Sequence, residues 1–377
     1  MSETPAPARK VPWTSLTVQH AALKAQILDT ISSILDSGMY VAGPHIHKFE
    51  ELFAAHEGGT HALAISNGTA ALEVALFAYG IGAGDEVITQ PNSFFATSES
   101  ILLRGATPVY VDIDPATFMI DVTKIEAAIT PKTKAIVPVH LYGQPANMPE
   151  IRRIADKHGL KVIADSCQAH GGTINGTPHT KWADATCYSF YPTKNLGTVG
   201  EGGGIVSSDD AAVAIMKTYR DHGMAQKNVH ATLGGNSRLS EIQGAILEIK
   251  MPHLDGWIAK RRQFAAMYDT LLAGAKDITL PTAPDGFKHV YHLYIIRHPK
   301  RDALAAAIGA RGVSWSIHYP GANHLQGAVA QYGYKVGDFP ETERAVNEIL
   351  TIPLFPEMTK DDVEYCAAVI REEAAKL

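Results

Sequence analysis

An α/β fold built on a mostly parallel sheet follows from two observations: short β-rich runs alternate with helical patterns, and a shorter unit of the same kind follows them. Strands separated by helices pack as a sheet covered on both faces. After a Pro-rich arm, apolar residues recur at helical spacing over 18–35 and stop at Ser37-Gly38, a glycine end to a helix. Strands are then expected at 61–65, 86–89, 107–111, 135–139 and 161–165, with helices over 69–79 and 150–158. The runs 185–190 and 203–207 have no long helix between them, so strand order should become mixed there. From about Leu239 a long helical stretch leads into the second unit. In it, residues 292–297 read as a strand and 301–310 as a helix, and 313–317 and a last helix from Lys360 complete it. The chain divides into an arm (1–15), a large domain (16–250) and a smaller C-terminal α/β domain (251–377).

Of the 377 residues, 46% are hydrophobic and 19% charged, enough to bury a large core. The formal net charge of −6 supplies no clustered positive face for nucleic acid or an anionic membrane, and small-molecule chemistry is expected instead. The N-terminus lacks the apolar core of a signal peptide, and no run of about 18 apolar residues suggests a membrane span. A cytoplasmic location is expected. Cys167, Cys187 and Cys366 form no C-x-x-C pair, which argues for free thiols rather than disulfides or structural zinc.

Three segments carry the candidate chemistry. Ser66-Asn-Gly-Thr-Ala-Ala71 lies between a strand and a helix, where free N–H groups, a hydroxyl and a glycine make a phosphate cup; the same residues also make a good turn and N-cap. No G-x-x-x-x-G-K-[ST] loop is present, which removes the main support for triphosphate hydrolysis. Asp165 ends a strand, and the carboxyl ends of parallel strands form the ligand crevice; an N-cap or a loop aspartate is the plainer reading. Lys194 lies between an apolar run and Gly197, Gly200, Gly202, Gly203 and Gly204, which permit close backbone approach. A buried lysine has a lowered pKa and attacks carbonyl carbon. A phosphate cup, a strand-end carboxylate and an activated lysine together suit pyridoxal phosphate: anchor, partner for the pyridinium nitrogen, and amine for the aldehyde. Phe94 or Phe95, in Pro91-Asn-Ser-Phe-Phe-Ala-Thr97, is placed to stack on the ring.

From residue 11 to the last helix the sequence resembles the sugar aminotransferase (DegT/DnrJ-type) family of fold-type I pyridoxal phosphate enzymes. The resemblance rests on ordered motifs: Ser66-Asn-Gly-Thr-Ala-Ala-Leu72, Gly84-Asp-Glu-Val-Ile88, Gly105-Ala-Thr-Pro-Val109, Val139-His-Leu-Tyr-Gly143, Asp165-Ser-Cys-Gln-Ala-His170, Ser189-Phe-Tyr-Pro-Thr-Lys-Asn-Leu-Gly197, Gly235-Asn-Ser-Arg-Leu239 with Glu241-Ile-Gln243, and Ile317-His-Tyr-Pro320. It implies that Lys194 bonds the cofactor, Asp165 pairs with the pyridinium nitrogen, and Gln168 meets the ring hydroxyl. It also implies that Gly68, Thr69 and Ser189 hold the phosphate and that Phe94, rather than Phe95, covers the ring. A homodimer with shared active sites is implied, with Asn236 reaching the neighbouring subunit's phosphate. Asp-Ser-Cys-Gln stands where relatives often have Asp-Ala-Ala-Gln, a small-for-small change.

The implied reaction is ping-pong transfer of an amino group from L-glutamate to a nucleoside-diphosphate-linked keto-sugar. Lys194 acts as general base and acid. Tyr191, His318 and Tyr319 are the implied sugar contacts, the last two in a segment similar to that of members aminating C3. His318 read by itself is equally a structural histidine. Arg220 and Arg238 suit a diphosphate, the glutamate carboxylate, or plain ion pairs. The alternatives are a sugar dehydratase of the same fold, which would replace the lysine by histidine or add a cysteine cluster, a keto-cyclitol aminotransferase, and a non-catalytic regulatory relative.

Overall fold

The computed structural model describes residues 9–377, so residues 1–8 of the expected arm lie outside the described residues. Seven strands form the central sheet: β1 (His61–Ile65), β2 (Glu86–Thr89), β3 (Thr107–Tyr110), β4 (Thr133–Val137), β5 (Lys161–Asp165), β6 (Ala185–Ser189) and β7 (Gly203–Ser207). Their spatial order is β1-β7-β6-β5-β4-β2-β3. Strands β2 to β6 pair in parallel, whereas β7 runs antiparallel to both β1 and β6, the mixing expected where no helix joins β6 to β7.

Alternate residues of each strand serve opposite faces. Leu63, Ile65, Cys187 and Ile205 pack with Leu72, Ala75 and Leu76 of helix α3 (Gly68–Ala78). Their neighbours Ala62, Ala64, Tyr188 and Val206 face Phe49 and Phe53 on the other side. Those phenylalanines belong to a helix the sequence reading passed over, Pro44–Glu57, which begins at a proline in its first turn and ends at left-handed Gly58. The long helical stretch after Leu239 is two helices, Glu241–Lys250 and Leu254–Leu272, separated by a turn at Met251–His253 that contains Pro252. Phe264, Tyr268 and Leu272 of the second enter the core of the C-terminal unit with Tyr294, Leu304, Ile308 and Val363.

Two expectations for that unit change. Its strand Tyr294–Arg297 pairs antiparallel with Ile349–Ile352, which the sequence reading did not assign. Residues 313–317 make only single bridges, Val11 to Val313 and Ser316 to Thr351, and no ladder. No helix among the described residues is long and apolar enough to cross a membrane.

Candidate active site

All six strands β1 to β6 point their carboxyl ends the same way, and the segments that leave them supply the predicted site residues. Asp165, the last residue of β5, is buried and fixed by two donors. Thr97 Oγ1 donates to its Oδ2 at 2.7 Å, and the Cys167 N–H donates to its Oδ1 at 3.1 Å. Thr97 stands in the helix Ala96–Leu103, directly after the segment that carries Phe94.

The cup follows β1. Asn67 is extended and its side chain caps α3 by accepting the Ala70 N–H at 2.8 Å. The N–H groups of Gly68 and Thr69 have no acceptor among the described residues, as expected for donors at a helix start. Glycines make the approach possible. A Cβ on Gly68 would lie 2.9 Å from Ser189 Cβ, and one on Gly203 would lie 2.3 Å from the carbonyl of Asn67. The end of β6 and the start of β7 therefore run directly against the cup, which places Ser189 beside Gly68. These are the residues and the spacing that a phosphate monoester needs: free helix-start amides, a hydroxyl and no side chain in the way.

Lys194 sits in the connection from β6 to β7, its own N–H bonded to the Tyr191 carbonyl at 2.9 Å. Burial pushes its amine below the ordinary lysine pKa, opposed by the Cys167 thiol and the Asp165 carboxylate. No described residue hydrogen-bonds its Nζ and the side chain is only partly covered, so the amine is uncommitted and within reach of a ligand. Burial first, and then Lys194, also hold His318 down to about 4. His170 is held to about 3 by burial, with Glu57 pulling the other way. Both rings are neutral beside the lysine.

On the remaining wall, residues of the C-terminal unit meet those of the large one. Gln168 accepts the Tyr142 N–H at 2.6 Å and donates to the Tyr319 hydroxyl at 3.1 Å. Tyr319 in turn lies 5.2 Å from the ring of Phe94, which is 57% exposed between buried Ser93 and Thr97. An apolar ring left open three residues before the threonine that holds a buried carboxylate is what a flat aromatic ligand would cover. His318 contributes its carbonyl, which accepts from Tyr142 Oη at 2.6 Å; its ring bonds Thr351 at 2.8 Å and packs on Trp13. Tyr191 is half exposed at the rim. Asn236 is exposed and makes no side-chain bond to its own chain's cup; the neighbouring Ser237 carbonyl accepts the Ser66 N–H.

Arg220 and Arg238 are ion-paired, the plainer of the readings held for them. Arg220 donates to Glu50 at 2.6 Å and to the Ala64 carbonyl at 3.0 Å, and Arg238 is paired with Asp221. The sequence reading missed Thr97, Tyr142 and Cys167 as site residues. Thr97 closes the segment Pro91-Asn-Ser-Phe-Phe-Ala-Thr97, and nothing in that local spacing points to Asp165. Tyr142 has a positive φ of 61°, a backbone state that only the folded loop reveals.

A parallel α/β sheet with a lysine, a strand-end carboxylate and a helix-start anion cup at one edge defines the class of pyridoxal phosphate enzymes. The chain belongs to the DegT/DnrJ/EryC1/StrS aminotransferase family, whose sequence model matches residues 21–371. It is 45% identical to a "Pleiotropic regulatory protein" of Geobacillus stearothermophilus over 96% of this chain and 98% of that one. It is 41% identical to a UDP-N-acetyl-3-dehydro-alpha-D-glucosamine 3-aminotransferase of Acidithiobacillus ferrooxidans, over 96% and 97% of the two chains. The crystal structure of DesV from S. venezuelae, in complex with a ketimine intermediate, superposes with a TM-score of 0.95 at 38% identity, covering 98% and 99% of the two chains. The protein is an aminotransferase, and its cofactor is pyridoxal 5′-phosphate.

Proposed function

We propose that this enzyme transfers the amino group of L-glutamate to the C3 carbonyl of a nucleoside-diphosphate-linked keto-sugar. The observation that carries the reading is an uncommitted lysine of lowered pKa, Lys194, beside a buried carboxylate held by two donors. The C3 assignment is supported by the 3-aminotransferase named above.

In this reading the Gly68 and Thr69 amides and the Ser189 hydroxyl hold the phosphate, Gln168 meets the ring hydroxyl, and Phe94 covers the ring face. Asp165, its two oxygens fixed by the Thr97 hydroxyl and the Cys167 N–H, would pair with the protonated pyridine nitrogen. Bound pyridoxal phosphate supplies an electron sink that makes the carbon bearing the amine acidic. Lys194 would attach the cofactor; once the donor's amine has displaced it, its freed Nζ, neutral at lower pH than an ordinary lysine, would take up and return that carbon-bound proton. Tyr191, His318 and Tyr319 line the sugar side.

The chain acts as a homodimer, with Asn236 of each copy turned toward the other's phosphate. In support, the helix Thr17–Ser37 leaves Val18, Leu28 and Leu35 more than half exposed, and Asn236 is free of its own cup. Sedimentation should give twice the 40.5 kDa of one chain, and a monomer would overturn this part. The large domain is taken as 16–250 and the small one as 251–377, a boundary at the break before Pro252.

Purified protein should show the visible absorbance of a lysine-bound cofactor, and borohydride should fix it on Lys194; a colourless protein with Lys194 unlabelled would sink the reading. Nucleotide keto-sugars incubated with glutamate, followed by mass spectrometry and NMR, test the substrate. An amine on another carbon overturns C3 alone. A regulatory role without catalysis would leave every keto-sugar unconverted while Lys194 still carried the cofactor.

A further inference from the structure

Lys250 is the last residue of the helix Glu241–Lys250 and is fully buried, among the largest side chains in the molecule with almost no exposure. Burying an ammonium is costly unless it is paired, and a methionine of similar length would fill the space without that cost. Its partners are neutral. Nζ donates to the carbonyl of Gly197 at 2.6 Å and lies 2.8 Å from His20 Nε2, on the N-terminal helix Thr17–Ser37. Glu357 is near enough to favour the charged amine but does not bond it; burial outweighs it and brings Lys250 down to about 8. His20 is lowered by burial and then by Lys250, so it faces the ammonium as a neutral acceptor.

Gly197 closes the loop that carries Lys194. A Cβ there would lie 2.4 Å from the Pro192 carbonyl oxygen and 2.7 Å from that of Tyr191, so the loop folds back on itself. Past that closure the same helix grips the chain again. Gln243 Oε1 accepts the Val199 N–H at 3.3 Å and the Thr198 hydroxyl, while the Thr198 N–H bonds the Phe190 carbonyl at 2.8 Å.

We propose that Lys250 is a positioning residue for Lys194: its buried ammonium holds the Gly197 carbonyl, and with it the closed loop that aims the Lys194 amine. A hydrogen bond from an ion is about twice as strong as one between neutral groups, which gives a charged residue here a purpose that methionine could not serve. The bond to His20 ties the same point to the N-terminal helix. The inference rests on Lys194 being the catalytic lysine, and its test is separable from that claim.

In cofactor-free protein, the pH midpoint of Lys194 acetylation by acetic anhydride, read by mass spectrometry, reports the lysine's own environment. In K250M the loop should loosen and admit water, moving that midpoint up toward the ordinary lysine value. With cofactor, kcat should fall about tenfold or more with KM little changed, since a small misplacement of a reacting group is costly. K250R, which keeps a charged donor, should recover part of both. A folded K250M with the wild-type midpoint and wild-type kcat overturns the proposal. If K250M does not fold, H20L removes one of the two acceptors at a partly exposed position. A smaller upward shift supports the proposal and an unchanged midpoint overturns it. Borohydride labelling of the wild type tests the role of Lys194 itself and is unaffected by either outcome.

Discussion

Asp165 shows how little freedom the central residues have. Each of its oxygens accepts one hydrogen bond, from Thr97 Oγ1 and the Cys167 N–H, which fixes the plane of the carboxylate beneath the site. Thr97→Val keeps the shape and removes one donor to a buried anion, a loss of about 1–3 kcal/mol. Where that loss falls on catalysis, kcat should drop by about tenfold or more, and cofactor titration should show weaker binding. Unchanged values for both would show that Cys167 alone holds the carboxylate. The sequence made Asp165 legible because it ends a strand, and Lys194 because it stands between an apolar run and a chain of glycines. Thr97 was not legible, since 68 positions separate it from Asp165 and nothing in local spacing reports such a contact.

At the scale of elements, the site depends on how closely three backbones approach. Strand β7 passes under the Asn67 turn only because residue 203 has no side chain, and the atoms a Cβ would meet belong to backbone that cannot swing aside. Gly203→Ala should therefore cost about 1–3 kcal/mol of stability or more and loosen the cup. Urea midpoints and cofactor retention after gel filtration would show both losses. Gly256, in the helix Leu254–Leu272 with open space around it, is the control: alanine there should be neutral or stabilise by about 0.5–1 kcal/mol. A Gly203→Ala protein as stable as the control would refute the close-approach account. The glycine run after Lys194 was visible in the sequence as permission for tight packing. Which glycine meets which carbonyl was not, because β7 reverses direction in the sheet and the partner lies on another strand.

Across the whole molecule, burial of neutral imidazoles should govern behaviour in acid. His170 and His289 are held to about 3 and His318 to about 4, each chiefly by burial, against an ordinary value of 6.5. The folded state therefore refuses protons that the unfolded chain binds below about pH 6.5, so stability is lost as pH falls from there toward 4. Three such groups give a slope on the order of 4 kcal/mol per pH unit once the unfolded imidazoles are protonated. His56 works the other way. Burial is the largest single influence and would lower it, but Glu57 and Asp255 together raise it above its ordinary value, which offsets part of the loss. Urea unfolding at pH 7.5 and 5.5 should show the drop, and equal stability at the two values would refute it.

The sequence by itself determined most of the order of strands and helices, the strand end that carries Asp165, the connection that carries Lys194, and the family, because periodicity and motif spacing are local properties of the chain. It left out the helix Pro44–Glu57 and the strand Ile349–Ile352, and suggested a strand at 313–317 that forms only single bridges. Only the tertiary structure decided that Thr97 holds Asp165, that Tyr142 and Tyr319 share Gln168, and that a buried ammonium from Lys250 catches the loop 53 residues earlier. Those contacts join segments far apart in the chain, and packing between layers brings them together with no trace in the spacing of either segment.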